Sequence, residues 1–256
     1  MRTEPIAGYA VDTASVQACV TSVIDSIKGE PLAGASSSCR WLACMNPHSF
    51  AVALDDAVFS ASLRDADWLV PDGSGVVLAS KLLGGQIRER VTGSDIFKGV
   101  MDGLNEAGPF KVYFLGSTPE TLAAIEQRMA RDYPNLILAG TYSPPFKFVY
   151  SEAEITAMID AINATSPDAL WVGLTAPKQE KWIHQNRARL NVRFAGAIGA
   201  VFDFYTGRIK RSHPVFQKLG LEWLPRLLQE PRRLWRRMGV SAPIFLWHVC
   251  RQRFFQ

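Results

Sequence analysis

Apolar residues fall along this chain in two rhythms. Short solid runs recur: RWLACM (40–45), FKVYFLG (110–116), NLILAG (135–140), DALWVGL (168–174) and VRFAGAIG (192–199). Such runs fit strands buried on both faces. DWLVPDGSG (67–75) is a shorter run that ends in a glycine turn. Between the runs, residues 13–28, 48–63, 94–105, 151–165 and 177–190 repeat apolar side chains at helical spacing, and a further helix is expected from Val76. The stretch after FKVYFLG carries its own start signals. Ser117 or Thr118 suits a cap, Pro119 the first helical position and Glu120 the first turn. Strands alternating with helices predict an α/β fold, an open, mostly parallel Rossmann-like sheet with helices on both faces. The opening MRTEPIAGYAVDTAS has no apolar run, which predicts no signal peptide.

After Gly207 the pattern changes. Three short helices are expected, at about 214–229, 231–238 and 242–255, and none closes a strand–helix unit. Charge changes at the same place. Residues 207–256 hold 11 lysines and arginines against 2 acids, whereas residues 1–206 hold 17 against 22, within a chain of net charge +4. The reading is therefore an α/β core over 1–206 and a C-terminal helical, basic and amphipathic appendage over 207–256. In EWLPRLLQEPRRLWRRM (222–238), tryptophans and leucines alternate with arginines, a mixture suited to a membrane interface. Trp223, Leu234, Trp235, Phe245, Trp247, Phe254 and Phe255 are the expected interfacial side chains. The apolar run IFLWHVC is too short to span a bilayer. Cys19, Cys39, Cys44 and Cys250 form no metal-binding spacing and read as reduced thiols of a cytosolic protein, mostly in the core.

Several chemistries are excluded by missing motifs. There is no GxGxxG, no P-loop, no GxSxG and no HExxH. Asp65-Ala-Asp67 has the form of a metal-binding DxD but sits at a helix end before a strand, where a solvated terminus is expected. In open parallel sheets, ligands bind beyond the carboxyl ends of the strands. Asn46, Asp72, Gly116-Ser117, Thr175 to Gln179 and Gly199 to Asp203 all follow a predicted strand and are expected to share one crevice. PDGSG places the Asp72 carboxylate beside two glycines, as a helix-capping turn or as a general base. RVTGSD (90–95) puts Arg90 near a second glycine turn, with Thr92 or Ser94 as cap. APKQE (176–180) reads as a plain loop into a helix or as a sugar- or anion-binding helix start.

NPHSF (46–50), ADWLVPDGSGVV (66–77), RVTGSD (90–95), FLGSTPET (114–121), YPNL (133–136), APKQEKWI (176–183), GAIGAVFDFYTG (196–207) and EWLPRLLQEPRRLWRR (222–237), in this order, resemble the WecG/TagA/CpsF glycosyltransferases. The resemblance implies an inverting, metal-independent transferase that uses no cofactor. The expected partners are a UDP-sugar donor, a polyprenyl diphosphate-linked saccharide acceptor and an anionic membrane surface. The protein would work in surface polysaccharide biosynthesis, on the cytoplasmic, inner face of the cell membrane. It also implies that Asp72 is the catalytic base. Asn46, Arg90 and Gln179 would line the sugar pocket, Asp203 would lie on the nucleotide side, and Arg226, Arg233 and Arg236 would close over the diphosphate. Cys44 stands where aminosugar-transferring relatives carry threonine, which favours glucose over N-acetylmannosamine or its uronate as the sugar moved. Self-association through the apolar tail is a further expectation. A non-catalytic nucleotide- or nucleic-acid-binding protein with a basic tail remains the alternative, although the acidic core and the lack of an RNA-binding motif argue against nucleic acid.

Overall fold

The computed structural model describes residues 2–29, 39–209 and 237–255. Its centre is a six-stranded sheet, all parallel. The strands are β3 (Arg40–Met45), β4 (Trp68–Pro71), β5 (Lys111–Gly116), β6 (Ile137–Tyr142), β7 (Ala169–Gly173) and β8 (Phe194–Ala197), in the order β4-β3-β8-β7-β5-β6. Alternate residues feed two hydrophobic layers, because successive strand side chains point to opposite faces. Trp41, Ala43, Leu170, Val172 and Ala195 pack into one layer. Leu42, Trp68, Phe114, Trp171 and Phe194 pack into the other. Both layers are apolar, which is why these strands read as solid runs rather than as alternating ones.

Helices cover both faces. The first layer receives α2 (Pro47–Asp55), α3 (Ala57–Asp65), α4 (Ser74–Leu83), α7 (Glu152–Asn163) and α8 (Lys178–Asn186). The second receives α1 (Val16–Lys28), α5 (Gly93–Ala107), α6 (Pro119–Asp132) and α9 (Val201–Tyr205). Local signals fix their starts. Thr118 caps α6 with Pro119 next, as the sequence predicts, and Thr92 rather than Ser94 caps α5. The continuous helix expected over 48–63 is two helices. Asp56 breaks it by turning extended and accepting from the Phe59 amide at 2.9 Å, a cap usually worth about 1 kcal/mol.

The amino-terminal hairpin was not predicted. β1 (Thr3–Ile6) and β2 (Tyr9–Asp12) pair antiparallel around Ala7-Gly8, both at positive φ. Pro5 inside a strand and alanine where such a turn prefers asparagine hide the signal. Tertiary packing supplies the stability instead: Ile6, Tyr9 and Val11 are buried in the first layer.

Helix α10 (Ala242–Phe255) matches the third helix expected after Gly207. The other two, at 214–229 and 231–238, lie outside the described residues in whole or large part, as does the loop expected at 30–38. Phe245 corrects an expectation. It does not face an interface; it is fully buried with Val249 in the first layer, its ring 5.3 Å from that of Phe50. Gln252 ties α10 to the hairpin, accepting from the Ala7 amide at 2.7 Å and donating to the Pro5 carbonyl at 2.9 Å. Trp247 and Phe254 are exposed. No helix among the described residues is long and apolar enough to cross a membrane.

Candidate active site

Four pairs of neighbouring strands, β3/β8, β8/β7, β7/β5 and β5/β6, send their following helices to opposite faces. From β3 the chain enters α2 in the first layer, and from β8 it enters α9 in the second. From β5 it enters α6 in the second layer, and from β7 it enters α8 in the first. Chain segments that diverge this way leave a crevice at the carboxyl ends of the strands. Strained backbone marks it. Ser117, after β5, has φ 60°, and Thr175, after β7, has φ 72°. For a β-branched residue that is an outlier of the kind concentrated at functional sites.

Asn46 ends β3 and caps α2. Its Oδ1 accepts from the amides of His48 (3.0 Å) and Ser49 (2.9 Å), and among the described residues the amide's donor end, Nδ2, has no partner. Asp72 ends β4, and its amide donates to the Met45 carbonyl at 2.8 Å, so the two strand ends are stitched together. Gly73 then turns at φ 114°, where a Cβ would stand 3.8 Å from that of Asn46. Asn46 and Asp72 therefore share one lip of the crevice. Arg90 reaches the same lip through its neighbour, because the Val91 amide donates to the Pro71 carbonyl at 2.9 Å.

Gln179 opens α8 from the opposite side and is only 3% exposed. Its Oε1 accepts from the Gly199 amide at 3.1 Å, joining the ends of β7 and β8, and Gly199 bends away at φ 52°. Its Nε2 donates to Glu180 Oε1 at 3.0 Å. Asp203 lies four residues past Gly199 on α9 and is half-buried. Its carbonyl accepts from the Ile209 amide at 3.1 Å.

Glu180 was missed as a site residue. A glutamate in a first helical turn ordinarily faces water and favours the helix dipole. This one is 2% exposed, and its Oε2 has no hydrogen-bond partner among the described residues. Burial pushes its carboxyl up to about 7, against the Gln179 hydrogen bond that favours the charged form. The signal was present in the spacing. Gln179 and Glu180 precede buried Ile183 by four and three residues and so share its face. Burial also pushes the Cys44 thiol up, reinforced by the nearby carboxylates of Asp72 and Glu180. The carboxylates of Asp72 and Glu180 thus both act electrostatically on the same thiol. The arrangement sets two carboxyls with different surroundings at one end of the sheet, together with amide donors from two elements. That pairing suits proton abstraction beside a bound polyhydroxyl substrate.

Asp65 and Asp67 behave differently from a metal site or a solvated terminus. They lie at the amino ends of the strands, away from the crevice. Asp65 contacts His184 Nδ1 at 2.9 Å and Arg187 Nη2 at 3.3 Å. Asp67 contacts Arg40 Nε at 3.2 Å and accepts from the Trp41 amide at 3.0 Å. Cations already hold both carboxylates, so they do not fit a divalent metal.

Arg226, Arg233 and Arg236 lie outside the described residues. The chain on either side of them stands at the crevice. Ile209 bonds to α9, and on the far side Ser241 Oγ meets His48 Nδ1 at 3.0 Å, two residues past Asn46. One further arginine escaped the sequence reading. Arg208 donates from Nη1 to Thr121 Oγ1 at 3.1 Å, in the first turn of α6.

Known proteins resemble this chain along most of its length. A curated relative in Bacillus spizizenii is 33% identical over 93% of this chain and 85% of its own. One in Bacillus subtilis is 28% identical over 82% and 79%, and one in Staphylococcus aureus 28% over 86% and 84%. Each is named an N-acetylglucosaminyldiphosphoundecaprenol N-acetyl-beta-D-mannosaminyltransferase. The description "Glycosyl transferase WecG/TagA/CpsF family" matches residues 4–256, so the chain belongs to the WecG/TagA/CpsF glycosyltransferase family.

Proposed function

We infer that the protein transfers a sugar from a UDP-sugar to a polyprenyl diphosphate-linked saccharide, with N-acetylmannosamine as the first-choice sugar and N-acetylglucosaminyl diphosphoundecaprenol as the first-choice acceptor. The observation that carries this reading is the meeting of Asn46, Asp72, Gln179 and Glu180 at one end of a parallel sheet, in a member of this family. The names of the relatives supply the sugar and the acceptor. This reverses the preference for glucose drawn from Cys44. The Cys44 side chain is half-buried, its Sγ 3.6 Å from where a Cβ on Gly93 would stand.

In this reading Asp72 takes the proton from the acceptor hydroxyl. The freed oxygen attacks the anomeric carbon on the face opposite UDP, and the glycosidic bond to the diphosphate breaks with inversion. A general base typically contributes about 10²–10⁴-fold. The Asn46 amide and Gln179 position the donor sugar, and Asp203 lies toward the nucleotide. Negative charge grows on the departing diphosphate. Arg226, Arg233 and Arg236 are the groups proposed to receive it, since guanidinium pairs phosphate oxygens bidentately and stays charged. No metal is assigned a role. The lipid acceptor places the reaction at an anionic membrane surface on the cytoplasmic side.

The test is a transfer assay with detergent-solubilised protein, polyprenyl diphosphate N-acetylglucosamine and a panel of UDP-sugars, with and without EDTA. Product from UDP-N-acetylmannosamine, undiminished by EDTA, is expected. Product from UDP-glucose alone restores the Cys44 reading. Loss of product in EDTA overturns the metal-free mechanism. No product from any donor, with no rise in melting temperature on adding UDP, overturns the transferase reading.

A further inference from the structure

The loop between β6 and α7, residues 143–150, has a tip unlike the rest of the surface. Five consecutive residues, Pro145 to Val149, are exposed, and four of them are apolar. Phe146 is 96% exposed, Phe148 97% and Val149 81%. Isolated apolar side chains on a protein surface need no explanation, but four apolar side chains gathered at one loop tip and turned to water are costly unless something covers them.

The stem of the loop is held firmly. Pro144 is buried, and Tyr142 and Tyr150 pack against the first hydrophobic layer. Ser143 Oγ donates to the carbonyl of Ser117, the strained residue that follows β5. Lys178 Nζ donates to the carbonyl of Lys147 at 2.5 Å. Lys178 belongs to the APKQE turn and directly precedes Gln179. Both braces therefore come from turns that frame the crevice, so the tip has a fixed position relative to the site.

Charge at the base of the tip narrows the choice of partner. The Lys178 ammonium lies 5.4 Å from the centre of the Phe146 ring and 5.1 Å from that of Tyr150. Among the described residues it has no carboxylate partner, and partial burial lowers its affinity for a proton. Lys147 is paired with Glu154, so the base of the tip carries one uncompensated positive charge. Aromatic side chains at the end, with a cation a few ångströms behind them, match the layering of an anionic bilayer: acyl chains first, phosphates next.

We propose that residues 145–149 form a membrane-inserting tip, with Phe146 and Phe148 entering the interface of an anionic bilayer and Lys178 behind them at the headgroups, so that the crevice is held at a set height above the lipid. The tip is separate in sequence from the basic stretch 222–238. Its purpose rests on the lipid-linked acceptor proposed above, but its test does not depend on turnover.

The test uses the full-length chain carrying Cys250→Ser and Phe148→Cys, labelled at residue 148 with an environment-sensitive NBD group. Vesicles of phosphatidylcholine with phosphatidylglycerol are compared with phosphatidylcholine alone. Insertion is expected to shift the label's emission to the blue and raise its intensity at least about twofold, on the anionic vesicles above all. In parallel, Phe146→Ser with Phe148→Ser is expected to weaken vesicle partitioning about tenfold or more. The UDP-induced rise in melting temperature should be unchanged. Both side chains are nearly fully exposed, so the double variant keeps its fold. Three results overturn the proposal: a label that stays water-like on vesicles the protein binds, a double variant that partitions like the parent, or a full-length protein that does not bind the vesicles. If the double substitution instead converts a dimer to a monomer in sedimentation while vesicle binding persists, the tip meets a second copy of this chain. Failure of the transferase reading would appear separately, in the transfer assay.

Discussion

The two ends of the central sheet treat carboxylates in opposite ways. At the amino ends, Asp65, Asp67 and Asp168 each face an arginine, and Asp67 and Asp168 also accept backbone amides. At the carboxyl ends, Glu180 is buried with one oxygen unpartnered among the described residues, and its carboxyl is pushed up to about 7. A carboxylate that serves only the fold can be given every partner it needs. One that handles protons must be kept where its two protonation states lie close in free energy. The contrast separates acids of the same type by their surroundings rather than by sequence position.

The largest effect expected from this contrast is at Asp72. Asp72→Asn should lower transfer by about 10²–10⁴-fold, while UDP still raises the melting temperature as in the parent. Retained turnover would remove Asp72 from the base role. At the opposite end, Asp67→Ala should cost about 1–3 kcal/mol of stability, because it strands the Trp41 amide and Arg40 together. Its kcat per folded molecule should not change. A loss of kcat in a fully stable Asp67→Ala protein would erase the distinction between the two ends.

Glu180 should give the subtlest signal, in pH dependence. In the folded chain it keeps its proton up to about 7, whereas the unfolded chain releases it near the ordinary 4.5. The folded state therefore binds more protons across that window, and stability falls as pH rises through it. Asp12, buried and pushed up to about 6, adds to the lower part of the same slope. Glu180→Gln keeps an acceptor for Gln179 but has no proton to lose. It should match the parent near pH 4.5 and exceed it by about 1–3 kcal/mol at pH 8. Denaturant titrations at both pH values check this, and a parallel offset at every pH would show that Glu180 is ionised throughout.

Much of the fold was legible because a parallel sheet covered on both faces leaves no polar positions in its strands. RWLACM and DALWVGL could be placed almost to the residue. The elements that resisted owe their structure to distant partners. The hairpin has Pro5 in a strand and Ala7 in its turn, and it holds because Gln252 and the first layer receive it. Asp56 looked like one more polar residue in a periodic stretch, but its side chain suits a cap, and Lys181 also engages it at 2.8 Å. At the site, Asn46, Asp72 and Gln179 were legible from their places after apolar runs. Glu180 was passed over because a first-turn acid ordinarily faces water, although its spacing from Ile183 put it on the buried face. Phe245 was misread because its segment's composition suggested a surface, whereas its position in space is decided by Phe50.

The packing of α10 bears on how this gene would respond to mutation. A premature stop anywhere between Gly207 and Arg226 removes Phe245, Val249 and the Gln252 clasp along with the arginines. Such nonsense alleles should leave little or no accumulated protein. Missense alleles at Arg226, Arg233 or Arg236 spare those three side chains and should leave normal amounts of full-length protein. In a collection of mutants, abundance on an immunoblot would then sort defects of folding from defects of chemistry before any enzyme is assayed. Shortening the chain from its end is the one genetic operation that cannot tell them apart.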